Sequence, residues 1–297
     1  MPKFSIVVPI YNVGKYIRQC MESIQNQTFK DFEVLCIDDC GTDNSIKIVQ
    51  EFAQKDSRFK IFHHEHNRGV SAARNTALDN ATGKYMVSID PDDWVEINFL
   101  EECNNGFNSF PEADAIWFNS KHYNNMTGEL TLTNPIDIKN HMFQRNNKNI
   151  DQLVGVIWDK AFKLENIRKI NYKFPEGLIV EDDDFTFSYF VNFKNVYRIN
   201  NALYVYRVER DGSYTTIDKS GKRIKDQLKI YYNIYKYAKQ HGFFDIYREF
   251  YLQTIANTVN CILLYKDNKL NIMKDANTLL GLINFPEDFE DLDKKQE

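Results

Sequence analysis

The sequence predicts an α/β fold with a mostly parallel sheet and helices on both faces, followed by a helical C-terminal region. Three observations carry this. Short apolar runs alternate with segments of helical spacing over residues 1 to about 120, two of those runs end in carboxylates, and a long helical pattern follows Gly212. Strands alternating with helices are the pattern of βαβ units, whose crossovers place helices against a parallel sheet.

Phe4 to Val8 is an apolar run stopped by Pro9 and reads as a first buried strand. Ile17, Cys20, Met21 and Ile24 then recur at helical spacing. Glu33 to Ile37 is a second strand. Gly41 to Ser45 is polar, and Ile48, Val49 and Phe52 share one face of a second helix. Phe59 to Phe62 is a third strand, Ser71 to Ala81 an alanine-rich helix, Tyr85 to Ile89 a fourth strand, and Ala115 to Phe118 a later one. From 121 to 151 Asn and Lys dominate, which suits loops and one short helix. Val154 to Leu164 reads as an apolar strand-turn and Phe185 to Phe193 as a helix beside an acidic cluster. Val196 to Ile199 and Leu203 to Tyr206 suit a hairpin across Asn200-Asn201. Breaks fall near Gly242 and Asp267, and the tail from Pro286 is acidic. The expected division is 1–120, 121–214 and a helical extension over 215–297.

The chain has 297 residues, 43% of them hydrophobic, enough for a substantial core. A net charge of -5 supplies no basic field and argues against nucleic acid as a partner. Five cysteines without metal-like pair spacing read as reduced thiols in a cytoplasmic protein. The N-terminus enters a strand pattern directly, with no signal-peptide pattern. No run reaches the roughly 18 apolar residues that span a bilayer. Peripheral contact with the inner face of a membrane stays open.

The chemistry starts where Tyr85 to Ile89 runs into Asp90-Pro91-Asp92-Asp93. Such acids cannot stay in a core unpaired. They suit a hard divalent cation, for which a diphosphate is a natural second ligand. Asp38-Asp39 closes another apolar run, so two acidic clusters lie along the carboxyl edge of one sheet. The bland alternative for each is a turn with a helix cap. Arg74, in a helix of small residues, could reach a carboxylate, a base edge or a phosphate, or serve only as a salt bridge. A third cluster, Glu181-Asp182-Asp183-Asp184, is either a helix start or the source of a base for a hydroxyl nucleophile. Neither a dinucleotide fingerprint nor a Gly-Lys-Ser/Thr phosphate loop is present.

Together these residues resemble glycosyltransferase family 2, the inverting GT-A enzymes. Ser5-Ile6-Val7-Val8-Pro9-Ile10-Tyr11-Asn12 resembles the family's opening strand and loop, and Ser23 to Thr28 its first helix end. Asp38-Asp39-Cys40-Gly41-Thr42-Asp43 stands for its Asp-Asp-Gly-Ser-Thr-Asp stretch. Ser71 to Asn75 and Asp90 to Asp93 fit two further motifs. Trp158-Asp159-Lys160 resembles a Trp-x-Lys element on the acceptor side, and Glu181-Asp182 a Glu-Asp pair.

The resemblance implies that Pro9, Tyr11, Asp39, Arg74 and Asp90 bind the nucleotide donor, with Asp39 on the base and Asp90 on the ribose side. It implies that Asp92 takes Mg²⁺ or Mn²⁺. Trp158, Lys160 and Glu181 would lie toward the acceptor, and Asp182 would be the general base, with Asp183 the alternative in register. Arg207, Arg210 and Ser213 resemble a late segment that closes over donor phosphates. The implied donor is a UDP-sugar, and the implied acceptor a glycan or lipid-linked glycan of lipopolysaccharide, capsule or similar. No residue pattern specifies the donor sugar or the oligomeric state. A nucleotidyltransferase would carry a glycine-rich basic loop near strand one, which is absent. A sugar-nucleotide-binding or assembly protein would have no need of Asp39, Asp92 and Asp182 together.

Overall fold

The computed structural model describes residues 1–133, 140–144, 150–210, 222–251, 253 and 254. Strands β1 (Phe4–Ile10), β2 (Phe32–Asp38), β3 (Phe59–His63) and β4 (Tyr85–Ser88) form a parallel unit in the order β3-β2-β1-β4. The sheet goes on through β9 (Lys160–Lys163), β6 (Ala115–Asn124), β10 (Asn195–Val208) and β5 (Trp94–Val95). β9 is antiparallel to both β4 and β6, whereas β6 and β10 are parallel to each other. Two short antiparallel strands complete it: β7 (Leu130–Thr133) on β6 and β8 (His141–Gln144) on β10.

Strand periodicity sorts the core into two faces. Phe4, Ile6, Val8 and Ile10 point to one side, where they meet α1 (Ile17–Gln25), α2 (Ser45–Ala53) and α4 (Phe99–Ser109). Val7, Leu35 and Ile37 belong to the other side, against α3 (Val70–Asn80), α5 (Leu164–Lys169) and α6 (Glu181–Asn192). Ala72, Ala73 and Ala77 are fully buried, and such small side chains let α3 lie close to the sheet. A third core joins Phe187 and Val191 of α6 to Ile230, Tyr231, Ile234 and Ala238 of α7 (Lys222–Gln240). Each isoleucine buried there stabilises the docking by roughly 1.5–3 kcal/mol. Gly242, with φ 72°, turns the chain into the helical segment that begins at 244.

Two expectations are corrected. Residues 195–208 are one strand, not a hairpin: β6 pairs along both halves, and the Asn200-Asn201 step is absorbed as register shifts between Ile199 and Tyr204. Residues 121–133 are not loop: β6 runs on to Asn124 and turns into β7. Cys20, Cys36, Cys40 and Cys103 are free thiols. Cys261, the expected break at Asp267, Ser213 and the tail lie outside the described residues.

Candidate active site

At the carboxyl edge of the parallel unit, the chain leaves β4 through Ile89, whose N–H still bonds Val7 O at 2.9 Å. Asp90 to Asp93 then form a turn, closed by Asp93 N–H to Asp90 O at 3.1 Å. The three carboxylates of this turn have different fates. Asp93 goes inward, accepting the Tyr204 hydroxyl at 2.7 Å and the Arg207 N–H at 2.7 Å. Burial pushes its carboxyl well above the usual range, and Asp92 and Asp90 add to the shift. Tyr204 in turn accepts the Asp90 N–H at 3.1 Å. Asp92 bonds its side chain to Arg210 Nε. Asp90 faces Arg74 Nη2 at 3.4 Å, with its side chain 27% exposed.

Arg207 is built into the scaffold of this turn. Its Nε donates to Asp92 O at 2.8 Å, Nη1 to Asn125 Oδ1 at 2.8 Å and Nη2 to Gln19 Oε1 at 2.6 Å. The rings of Trp94, Tyr16 and Tyr123 surround it at about 5 Å.

Arg74 joins the first half of the chain to the second. Its side chain is 4% exposed, so an unpaired charge there would be costly. Nη1 donates to Glu181 Oε1 and, at 2.9 Å, to Asp182 Oδ1. Phe174 lies 5.7 Å from its Cζ. One guanidinium thus serves three carboxylates. Desolvation, partly offset by Arg74, pushes the Asp90 and Glu181 carboxyls up to about 7. Glu181 is buried, whereas the Asp182 side chain is 19% exposed. Asp182 Oδ2 also accepts the Ile157 N–H at 3.3 Å. Val180, at the start of α6, sits at φ 69°, a left-handed conformation that costs a β-branched residue about 1–3 kcal/mol. That turn delivers Glu181 and Asp182 to Arg74.

The next two aspartates point elsewhere. Asp183 Oδ2 accepts the Tyr231 hydroxyl of α7 at 2.9 Å. Asp184 Oδ2 accepts the buried Tyr172 hydroxyl at 2.7 Å. Burial raises both carboxyls to about 6. A carboxyl with a raised folded pKa favours the fold at a pH below its unfolded value near 4. That contribution is lost as pH rises through about 6. Asp184→Asn keeps an acceptor for Tyr172 and carries no charge. Its stability relative to wild type is therefore expected to improve from pH 5 to pH 8, by roughly 1–3 kcal/mol. Thermal melts at the two pH values measure this, and a gap independent of pH would contradict it.

Asp39 is the centre of a separate clamp. Oδ1 meets His64 Nδ1 at 2.7 Å and the Arg68 N–H at 2.8 Å, and Oδ2 accepts the Gly69 N–H at 2.7 Å. His64 Nε2 faces the Thr76 hydroxyl at 2.8 Å, which fits an Nδ1–H tautomer donating to Asp39. Oδ2 retains acceptor capacity. Pro9 lies near the end of β1, and Tyr11 just beyond it is 42% exposed. Gly41 has the neighbouring Asn12 so close that a Cβ would come within 3.1 Å of Asn12 Oδ1. Trp158 is buried, stacking on Tyr204 with ring centroids 4.5 Å apart and on Tyr206 at 5.4 Å. The Lys160 ammonium is 2% exposed and donates to Val156 O at 2.9 Å and Asp159 Oδ1 at 2.6 Å. It thereby braces the loop that presents Ile157 N–H to Asp182.

The structure therefore brings Arg74, Asp90, Glu181 and Asp182 into one cluster, joined through the Asp90–Asp93 turn to Asp92, Arg207 and Arg210. His64, Tyr204 and Ile157 were not expected. His64 follows a strand and Tyr204 sits within one, but their partners are far away in sequence, and Ile157 contributes backbone alone. Among the described residues no group of three metal-ligating side chains occurs. Asp92 and Asp90 are hard oxygen donors at one strand end, which fits Mg²⁺ or Mn²⁺ completed by phosphate oxygens and water.

Residues 5–170, more than half of the 297, match the family described as Glycosyl transferase family 2. The chain belongs to that family and is a glycosyltransferase with a GT-A type of fold. It is 30% identical over 239 residues to Glycosyltransferase GlyG of Streptococcus pneumoniae, covering 76% of this chain and 77% of that protein. It is 29% identical over 226 residues to Glycosyltransferase GlyA of the same organism, covering 72% of this chain. It spans only 32% of GlyA's length. The fold is shared with S. aureus TarS 1-349, solved in complex with UDP-GlcNAc, at a TM-score of 0.67 and 24% identity, covering 78% of this chain and 66% of that one.

Proposed function

We propose that the chain transfers a sugar from a UDP-sugar to a hydroxyl of a growing surface glycan, with inversion at the anomeric carbon and Asp182 as the general base. The observation that carries this is the partly exposed Asp182 carboxylate, held by Arg74 and Ile157 N–H beside the Asp90–Asp93 turn. Asp182 takes the proton of the acceptor hydroxyl as that oxygen bonds to the anomeric carbon. The bond from that carbon to the diphosphate breaks, and the nucleoside diphosphate leaves. A divalent cation on Asp92 would neutralise the charge that grows on the diphosphate. Asp39, with Pro9 and Tyr11, holds the base, and Asp90 faces the ribose. Trp158, buried against Tyr204 and Tyr206, braces the acceptor side of the site together with Glu181 and Lys160. UDP is favoured by the family resemblance and by the UDP-GlcNAc complex of TarS. The test is a donor panel with Mg²⁺ or Mn²⁺ and small saccharide acceptors, read by release of nucleoside diphosphate. Binding of every donor without release or transfer would leave a sugar-nucleotide-binding protein instead.

The helix α7 carries a basic face. On α7, Lys222, Lys225, Lys229, Lys236 and Lys239 fall within about 100° of the helix circumference. Lys236 Nζ lies 4.7 Å from the Tyr232 ring, which belongs to the same stripe. The neighbouring tyrosines do not join it. Tyr231 bonds Asp183, Tyr237 accepts from Asn192 Nδ2 at 2.8 Å, and Tyr235 packs on Phe244 and Tyr251. No helix among the described residues is long and apolar enough to cross a membrane. The stripe suits attraction to an anionic leaflet or to a lipid-linked acceptor. In liposome flotation, binding is expected to anionic vesicles and not to neutral ones; equal, negligible binding to both would reject membrane contact.

A further inference from the structure

We propose that Arg210 holds the place of a divalent cation on Asp92, so that the cation enters well only in company with a nucleoside diphosphate. This rests on the reading of Asp92 as the cation's ligand. The Asp92 side chain is 11% exposed, and its Oδ2 accepts a charge-assisted bond from Arg210 Nε. A carboxylate so poorly hydrated requires a positive partner, and Arg210 supplies it.

The two arginines of this segment are anchored differently. Arg207 lies within β10, and its backbone N–H, Nε and both Nη groups have partners. Because Arg207 Nε grips Asp92 O, the turn keeps its place whatever happens at the Asp92 side chain. Arg210 lies past the end of β10 at Val208, beyond Glu209, whose φ of 56° takes the chain out of its extended path. Its guanidinium is thus outside the sheet ladder, on a side chain 16% exposed.

A guanidinium and a divalent cation repel strongly when both sit on one carboxylate in a poorly hydrated cleft. A bare cation must expel Arg210 and leave it without Asp92. A cation–diphosphate complex is different, because its net charge is negative. It offers Arg210 phosphate oxygens that suit the guanidinium fork, while the cation takes the freed Asp92 oxygen. No covalent bond changes in this exchange. Nucleotide and cation then raise each other's affinity by one common factor, as linkage requires, and Arg210 sets its size.

The probes are Mn²⁺ and UDP, and the readout is free Mn²⁺ by electron paramagnetic resonance with the full chain. Wild type is expected to bind Mn²⁺ weakly alone and far more tightly with UDP. Arg210→Gln is expected to bind Mn²⁺ alone at least tenfold more tightly, with the gain from UDP reduced at least tenfold. Arg210→Lys keeps the positive charge and is expected to bind Mn²⁺ alone close to wild type. Circular dichroism melts establish that both variants are folded. Equal Mn²⁺ affinity of wild type and Arg210→Gln without nucleotide overturns the proposal. Asp92→Asn separates the two levels: loss of Mn²⁺ binding in that variant upholds the ligand, so failure at Arg210 is then failure of the exchange alone. Undiminished Mn²⁺ binding in Asp92→Asn removes the ligand itself, and the exchange with it.

Discussion

Asp182→Asn is expected to keep donor and cation binding while lowering transfer by roughly 10²- to 10⁴-fold, the usual contribution of a positioned proton acceptor. Asp182 Oδ1 is engaged by Arg74 at 2.9 Å, and Oδ2 receives a longer bond from Ile157 N–H at 3.3 Å. Lone-pair capacity therefore remains on a carboxylate that reaches solvent. Asparagine has the same shape but cannot take up a proton at neutral pH. The control is Asp183→Asn, because the Asp183 carboxylate is turned to the Tyr231 hydroxyl of α7. Steady-state transfer and calorimetric UDP titration of both variants give the answer. A dead Asp183→Asn beside an active Asp182→Asn would move the base by one residue. A product that retains the donor's anomeric configuration would sink the single displacement, since retention needs a second carboxylate about 5–5.5 Å from the first.

Arg74→Ala is expected to destabilise the fold by roughly 3–5 kcal/mol at pH 8, because it strips a buried cation from Asp90, Glu181 and Asp182 at once. The deficit should narrow on acidification. With Arg74 present the Asp90 and Glu181 carboxyls already titrate near 7, and its removal raises them further. Groups with raised folded pKa values favour the fold at low pH, and their contribution disappears as pH climbs through those values. Protonated Asp90 and Glu181 need no guanidinium at pH 5, whereas ionised ones do at pH 8. Arg74→Lys is expected to recover only part of the loss, as one ammonium lacks the fork that spans several carboxylates. Urea unfolding at both pH values measures the effect. A variant as stable as wild type at pH 8 would show that the three acids are held by something else.

The strands β1 to β4 were legible because buried parallel strands are nearly continuous apolar runs closed by turn residues. Phe4 to Val8 and Tyr85 to Ile89 fall within a residue or two of β1 and β4. The second part of the sheet was harder. Asn200-Asn201 has the composition of a turn, yet pairing with β6 on both sides of it keeps β10 a single strand. Residues 130–133 looked like loop because only four residues, Leu130 to Thr133, alternate within an Asn- and Lys-rich stretch, and both leucines stay exposed on this short strand. In the site, the acids themselves could be picked out as carboxylates at strand and helix ends. Their shared counter-ion could not, since Arg74 and Glu181 are 107 residues apart and no local spacing encodes that meeting. The same holds for Asp39 and His64, which meet only because β2 and β3 are neighbours.

Strand β9 gives the molecule an order of assembly. It is made well after β4 and β6, yet it is the piece that lies between them. A nascent chain that stops short of residue 160 therefore carries two open ladders, each with unsatisfied backbone donors and acceptors. Open edges of this kind recruit other chains, and pairing over such sequence distances is slow to form. The segment that carries β1 to β4 is for this reason not a detachable cassette. A chimaera that exchanges the second half of the chain between relatives has to be joined inside the sheet, at β9, with its Tyr85–Lys163 and Ala115–Phe162 pairings matched on both flanks.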